Sequence, residues 1–230
     1  MQIKLSERLA AVAGFVPTGS VVADIGTDHG YLSAHLIMES ISPYVIAADV
    51  HEPPLTKASQ LVSLLSIDKK VSLRLGDGLQ VLTPGEAQVI VIAGIGALTM
   101  IHILSASPAV LGQTQRLVLQ PMRDVVKLRE WLVENNWRIV DEELVYEGDL
   151  FYEIIAAEPG RSTLTLEEME FGPVLLKKKH LLLKAYLGEK LRILKDIYQA
   201  LDDAAHPKGQ VQKEEMKEKI AGMERVRASL

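Results

Sequence analysis

The chain has 230 residues, 48% of them hydrophobic, no cysteine and a formal charge of −5. That is enough apolar material for one packed domain plus an appendage, while the absence of thiols excludes disulfides, cysteine-ligated metals and a cysteine nucleophile. No apolar run approaches the roughly 20 residues of a membrane-spanning helix, and Lys4, Glu7 and Arg8 bring charge too early for a signal peptide, so a cytoplasmic protein without a membrane partner is expected.

A short amphipathic helix around Ser6–Ala13 opens the chain. Val21–Asp24 then reads as a buried strand running into Gly26-Thr27-Asp28-His29-Gly30, with a helix over Tyr31–Met38. Tyr44–Asp49 is the second strand, followed by a helix from about Pro54 to Leu65. Val71–Leu75 is the third and Val89–Ile92 the fourth, ahead of a helix at Ala97–Leu104; Arg116–Gln120 is the fifth, with its helix at Asp124–Asn135. Fully apolar strands alternating with helices predict a parallel sheet covered on both faces. Trp137–Tyr146 and Phe151–Ala157 follow without a helix between them, joined by the turn signal Glu147-Gly148-Asp149. Five parallel strands closed by an antiparallel hairpin outline an α/β fold, the Rossmann-like class I methyltransferase sheet, whereas dehydrogenases carry six parallel strands.

Beyond Glu158-Pro159-Gly160-Arg161-Ser162 the pattern changes, which divides the chain into domains at 1–160 and 161–230. Leu183, Leu187, Leu191, Leu194, Tyr198 and Leu201 recur every three or four residues, as the buried stripe of one long helix does. His206-Pro207-Lys208-Gly209 breaks it, and Met216, Ile220, Met223 and Val226 or Arg227 continue on a second helix. A C-terminal helical, coiled-coil domain is expected. Residues 1–176 carry a net charge of −10 and residues 177–230 a net +5. The basic tail is a candidate polyanion surface, although a solvated coiled coil with a lysine bias has the same charge pattern.

The first turn carries the most chemistry. Gly26 and Gly30 let backbone approach a ligand, and Thr27 lies in the crevice mouth. No Gly-Lys-Ser/Thr follows, so it is not a phosphate-binding loop; the glycines also miss the dinucleotide spacing. Asp24 closes the first strand. Asp49, with Val50 beside it, ends the second strand 23 positions after Gly26, where nucleoside-binding folds place a ribose acceptor, although a helix cap uses the same residue. Gly76-Asp77-Gly78 follows the third strand, where Asp77 would accept from an adenine amine and Gly78 leave room for the ring; it is also ordinary turn chemistry. Ala93-Gly94-Ile95-Gly96 follows the fourth strand, where small residues admit a target base or simply pack strand against helix. Asp28, His29 and Tyr31 share the mouth of the first turn and are the catalytic candidates, although a histidine here equally caps the helix or bonds a loop carbonyl. No His/carboxylate spacing suits a metal.

Taken together, Leu5-Ser6-Glu7-Arg8-Leu9, Ala23-Asp24-Ile25-Gly26-Thr27-Asp28-His29-Gly30-Tyr31-Leu32, Gly76-Asp77-Gly78-Leu79, Ile92-Ala93-Gly94-Ile95-Gly96, Leu117-Val118-Leu119-Gln120-Pro121, Arg129-Glu130-Trp131-Leu132, Phe151-Tyr152-Glu153-Ile154 and Phe171-Gly172-Pro173 resemble the bacterial tRNA adenine-N1 methyltransferases, TrmK, that modify adenosine 22. The resemblance implies S-adenosyl-L-methionine as methyl donor, tRNA as partner, and a pocket lined by Asp24, Gly26, Asp28, His29, Asp49, Asp77, Gly78, Ala93 and Gly94. The family usually has Pro where this chain has Ser33, Glu for Asp49, and Asn for Met122. A non-catalytic or altered-specificity protein of the same fold, still binding the cofactor and RNA, is the alternative. Oligomeric state is not legible.

Overall fold

Val22–Ile25 forms β1, in which every residue is buried, and the apolar runs after it extend a seven-stranded sheet to both sides. β2 (Val45–Asp49) and β3 (Val71–Leu75) lie on one side of it, β4 (Val89–Ile95) and β5 (Arg116–Pro121) on the other, all paired in parallel. β6 (Trp137–Glu147) and β7 (Leu150–Pro159) run antiparallel, with β7 against β5, giving the order β3-β2-β1-β4-β5-β7-β6 in this computed structural model. Gly148 and Asp149 between them have φ of +57° and +62°, a two-residue turn whose twist matches that of the strands.

The structure describes residues 3–202 and 209–230 and divides into the units Met1–Leu164 and Thr165–Leu230. In the first, α1 (Glu7–Gly14), α2 (Tyr31–Met38) and α3 (Glu52–Leu64) pack with one another, as do α4 (Ala97–Ser105), α5 (Pro108–Leu111) and α6 (Val125–Glu134). The crossovers from β1 and from β4 step in opposite directions, and right-handedness therefore puts these two layers on opposite faces of the sheet. Ser6 starts α1 by accepting a hydrogen bond from the Leu9 N–H. Ala93, Gly94 and Ile95, expected in a turn, remain in β4; α5 and the 3-10 turn Gly78–Val81 are too short to show a period.

Arg129 of α6 has no exposed surface. Its Nη2 donates to Glu142 of β6 at 2.9 Å and to Glu153 of β7 at 2.5 Å, so the helix is clamped to the terminal hairpin through buried charge.

The second unit comprises α7 (Leu166–Phe171), with a capping box between Thr165 and Glu168, α8 (Pro173–Lys178), α9 (Leu183–Asp202) and α10 (Gly209–Ser229). Leu183, Leu187 and Leu191 of the expected stripe are buried, as are Met223 and Val226. Lys195 pairs with Glu224 at 2.6 Å and Lys179 donates to the Ser229 carbonyl at 2.9 Å, so α9 and α10 run antiparallel. The stripe's continuation to the side chain of Leu201 and the break at His206-Pro207-Lys208 lie outside the described residues.

Candidate functional site

The strand order reverses between β1 and β4, and a crevice opens there at the carboxyl ends of the strands. It is a cleft of about 590 Å³, a volume suited to a small organic ligand. The ends of β1, β2 and β4 and the turn after β3 form its floor, and Arg8 and Leu9 of α1 contribute a wall.

The turn after β1 is built on Asp24. Its side chain is almost wholly buried, and Oδ2 accepts from Thr27 Oγ1 at 2.7 Å and Ser33 Oγ at 2.6 Å. Ser33 thus helps to hold the turn. Burial pushes the Asp24 carboxyl above its ordinary 3.8, partly opposed by those two hydroxyls. A raised carboxylate pKa means that ionisation costs stability: the penalty is absent below the unfolded value and develops as pH rises through the folded one. Asp24→Asn keeps an acceptor oxygen and removes the charge. Its melting temperature, relative to that of the native chain, should therefore rise as pH rises above the ordinary carboxylate range; a gap that does not change with pH would count against this.

Gly26, Asp28 and Gly30 all take left-handed backbone, with φ of +76°, +53° and +74°. A Cβ on Gly26 would meet nothing within 4 Å, so the space above it is open, whereas one on Gly30 would come within 2.9 Å of Ala58 Cβ. Gly26 is thus a ligand-side glycine and Gly30 a packing glycine between α2 and α3. The N–H groups of Gly26 and Thr27 donate to the Ala48 carbonyl, tying the turn to β2.

Asp49, half-buried at the end of β2, accepts from the His51 N–H at 2.9 Å and from the Asp28 N–H at 3.4 Å. Asp28 itself projects with its side chain 73% exposed. His29 Nδ1 lies 3.2 Å from Asp28 Oδ1, within ion-pair range but not aligned as a hydrogen bond, so this buried nitrogen has no aligned partner. The His29 and Tyr31 rings meet edge-on, 6.2 Å between centroids. Across the cleft Asp77 is exposed, and a Cβ on Gly78 would fall within 2.9 Å of Ile103 of α4.

The end of β4 has a feature that its sequence conceals. The register with β5 shifts between Ala93 and Ile95, Gly94 sits at φ +81°, and its N–H donates to Gln120 Oε1 at 3.1 Å. Gln120 is fully buried, and Arg8 Nη1 reaches the same oxygen at 2.6 Å. The Arg8 guanidinium lies 5.4 Å from the centroid of the Tyr152 ring.

The structure therefore gathers Asp24, Gly26, Thr27, Asp28, His29, Tyr31, Asp49, Val50, Asp77, Gly78, Ala93, Gly94 and Ile95 around one cleft. Gly96 is not among the lining residues; it starts α4 as its N-cap. Arg8, Thr99 and His102 line the cleft without having been anticipated as site residues. Arg8 had one signal, its place in the Leu5–Leu9 segment that carries the resemblance. Among the described residues no cluster of His, Asp or Glu could hold a metal ion.

A family model described as a methyltransferase domain matches residues 5–155. The chain is 34% identical over 218 residues, 92% of each chain, to the tRNA (adenine(22)-N(1))-methyltransferase of Bacillus subtilis. It is similar to the crystal structure of the B. subtilis m1A22 tRNA methyltransferase TrmK, with TM-score 0.90, 32% identity, and 98% of this chain and 100% of that one covered. It is also similar to M. capricolum TrmK in complex with the cofactor product S-adenosylhomocysteine, with TM-score 0.85, 26% identity, and 97% and 98% covered.

Proposed function

The chain belongs to the family of tRNA (adenine(22)-N(1))-methyltransferases, and from that premise we propose that its cleft holds S-adenosylmethionine against N1 of adenosine 22 in tRNA. It is a methyltransferase of Rossmann-like fold, and this reading is favoured over that of a non-catalytic relative. The observation that carries the site assignment is the series of carboxylates, Asp28, Asp49 and Asp77, around an open glycine turn.

That donor set fits the cofactor. Asp49 would accept from the ribose hydroxyls, with Val50 against the nucleoside. Asp77 would accept from the adenine amine over the small Gly78, while Gly26, Thr27, Ala93, Gly94 and Ile95 would line the methionine side. When bound, S-adenosylmethionine supplies a methyl group on a positively charged sulfur. Adenine N1 has an in-plane lone pair at neutral pH, so the protein need not remove a proton; it must extrude the base and align it. Asp28 is proposed to face the target ring, which becomes cationic on methylation, with His29 and Tyr31 orienting it. Calorimetry with S-adenosylmethionine and NAD tests the cleft: saturable binding of the former alone is expected, and binding of NAD alone would overturn the assignment.

Residues 1–160 are proposed to carry methyl transfer and 161–230 to contact tRNA through the basic bias of the tail, in the cytoplasm. No helix among the described residues is long and apolar enough to cross a membrane. Removal of residues 177–230 should weaken tRNA binding and flatten its salt dependence, because each lost phosphate contact lowers the slope by about one unit. Cofactor affinity should stay within about twofold. An unchanged salt slope would take the tail out of the tRNA site.

A further inference from the structure

Gly96 stood among the expected site residues, yet it does not line the cleft. A Cβ built on it would lie 3.3 Å from Arg123 Nε, 3.7 Å from its Cγ and 3.9 Å from its Nη2. Arg123 therefore lies across the corner between β4 and α4, over the place that the missing side chain leaves clear. Two backbone hydrogen bonds fix that corner: the Met122 N–H donates to the Ile95 carbonyl at 2.9 Å, and the Ala97 N–H to the Arg123 carbonyl at 3.3 Å. Ile95 lines the cleft, so Met122 and Arg123 stand on its rim. The Arg123 side chain is 83% exposed, and its one ion-pair contact among the described residues is a loose one, 3.9 Å from Nε to Asp124. Met122 is 48% exposed, while its sulfur lies 3.8 Å from Nε2 of the buried Gln120.

We infer that the tRNA strand crosses the cleft at this rim, with Arg123 on a phosphate next to the extruded adenosine and Met122 against the neighbouring base. The inference rests on the methyltransferase reading and adds to it a contact that positions the RNA. With the cofactor's nucleoside at Asp49 and Asp77, the target base has the β4 side of the cleft left to it, and its sugar and phosphate then run over residues 96 and 122–123. The carboxylates of Asp28, Asp49 and Asp77 at this mouth repel a phosphodiester. A weakly paired guanidinium attracts one, and its planar fork of N–H donors matches phosphate oxygens; such contacts set the register of a bound strand. Extrusion of a base leaves its neighbour unstacked, and an anchored methionine is the kind of apolar side chain that packs on the exposed face.

The test is tRNA binding as a function of salt, together with single-turnover methyl transfer, on the full chain with unmodified tRNA. Arg123→Gln should weaken tRNA binding by about three- to tenfold near physiological salt and lower the slope of log affinity against log salt by about one unit. Arg123→Lys, which keeps the charge, should retain the native slope. Met122→Ala should slow transfer by about fivefold and leave the slope as it is. All three variants should bind S-adenosylhomocysteine within about twofold of the native chain, because neither side chain lines the cleft. An unchanged slope in Arg123→Gln, or native transfer by Met122→Ala, would overturn this path of the strand and leave the methyltransferase reading standing. A native chain that binds no S-adenosylhomocysteine and methylates no tRNA would overturn that reading, and this inference with it.

Discussion

Replacing Arg129 by leucine should destabilise the first unit by about 3–5 kcal/mol, the cost of breaking a buried ion pair by removing one partner. The side chains of Arg129 and Glu142 have no exposed surface and that of Glu153 is only 7% exposed. Burial alone would pull the guanidinium pKa down, but the two carboxylates more than restore it and hold it above its ordinary value. Arg129 pairs with both carboxylates, so replacing it takes a positive charge away from two anions in a place that water does not reach. Urea denaturation should show the loss as a lower midpoint with an unchanged slope. Adding Glu142→Gln and Glu153→Gln to Arg129→Leu should recover a substantial part of it, since the repulsion goes with the charges. A loss below about 1 kcal/mol for Arg129→Leu would mean that the carboxylates find other compensation.

The effect should extend to the site. The hairpin that Arg129 clamps to α6 also carries Glu147 and Tyr152, two of the three residues that contact Arg8; the third, Gln120, lies on β5. Variants at Arg129 that still fold are therefore expected to bind the cofactor more weakly, although Arg129 lies outside the cleft lining.

Asp28→Asn should lower single-turnover methyl transfer by about 10²–10³-fold, the usual magnitude when one preorganised electrostatic partner of a transition state is removed. The positive charge begins on sulfur and ends on the adenine ring, so a carboxylate beside the ring gains attraction as the reaction proceeds. Left-handed backbone at φ +53° fixes the main chain from which the Asp28 side chain projects, and the 3.4 Å bond from its N–H to Asp49 tethers it. Asparagine tolerates that conformation, so the substitution removes charge without straining the turn. S-adenosylhomocysteine affinity should change by no more than a few-fold. Full turnover in Asp28→Asn would remove Asp28 from the chemistry, and a parallel loss of cofactor affinity would make it a binding residue instead.

The sheet was legible because its central strands are buried on both faces and so read as apolar runs between turn signals; residues 89–92 and 117–119 are the clearest cases. The hairpin was legible from Gly148 and Asp149, which supply the two positive φ angles that it needs. The bulge at Gly94 was not legible, because it depends on a side chain 26 positions away: Gln120 takes the N–H that the shifted ladder leaves over. The Arg129 cluster was hidden for a related reason. Charges within a strand or helix pattern read as solvent-facing, and only the packing of α6 on β6 and β7 makes these three a buried set. Ser33 looked like a departure from the resemblance at a helix start, yet it donates to Asp24. Arg8 sat in an ordinary amphipathic pattern; its place at the cleft is set by Gln120 and Tyr152, both distant in sequence.

The most direct test is to incubate the full chain with S-adenosylmethionine labelled in its methyl group and with tRNA that lacks modifications, then to digest the RNA and locate the label by mass spectrometry. One labelled methyl per tRNA, as N1-methyladenosine at position 22, is the expected result. Label on any other nucleoside, or no transfer by a chain that binds the cofactor, would contradict the account.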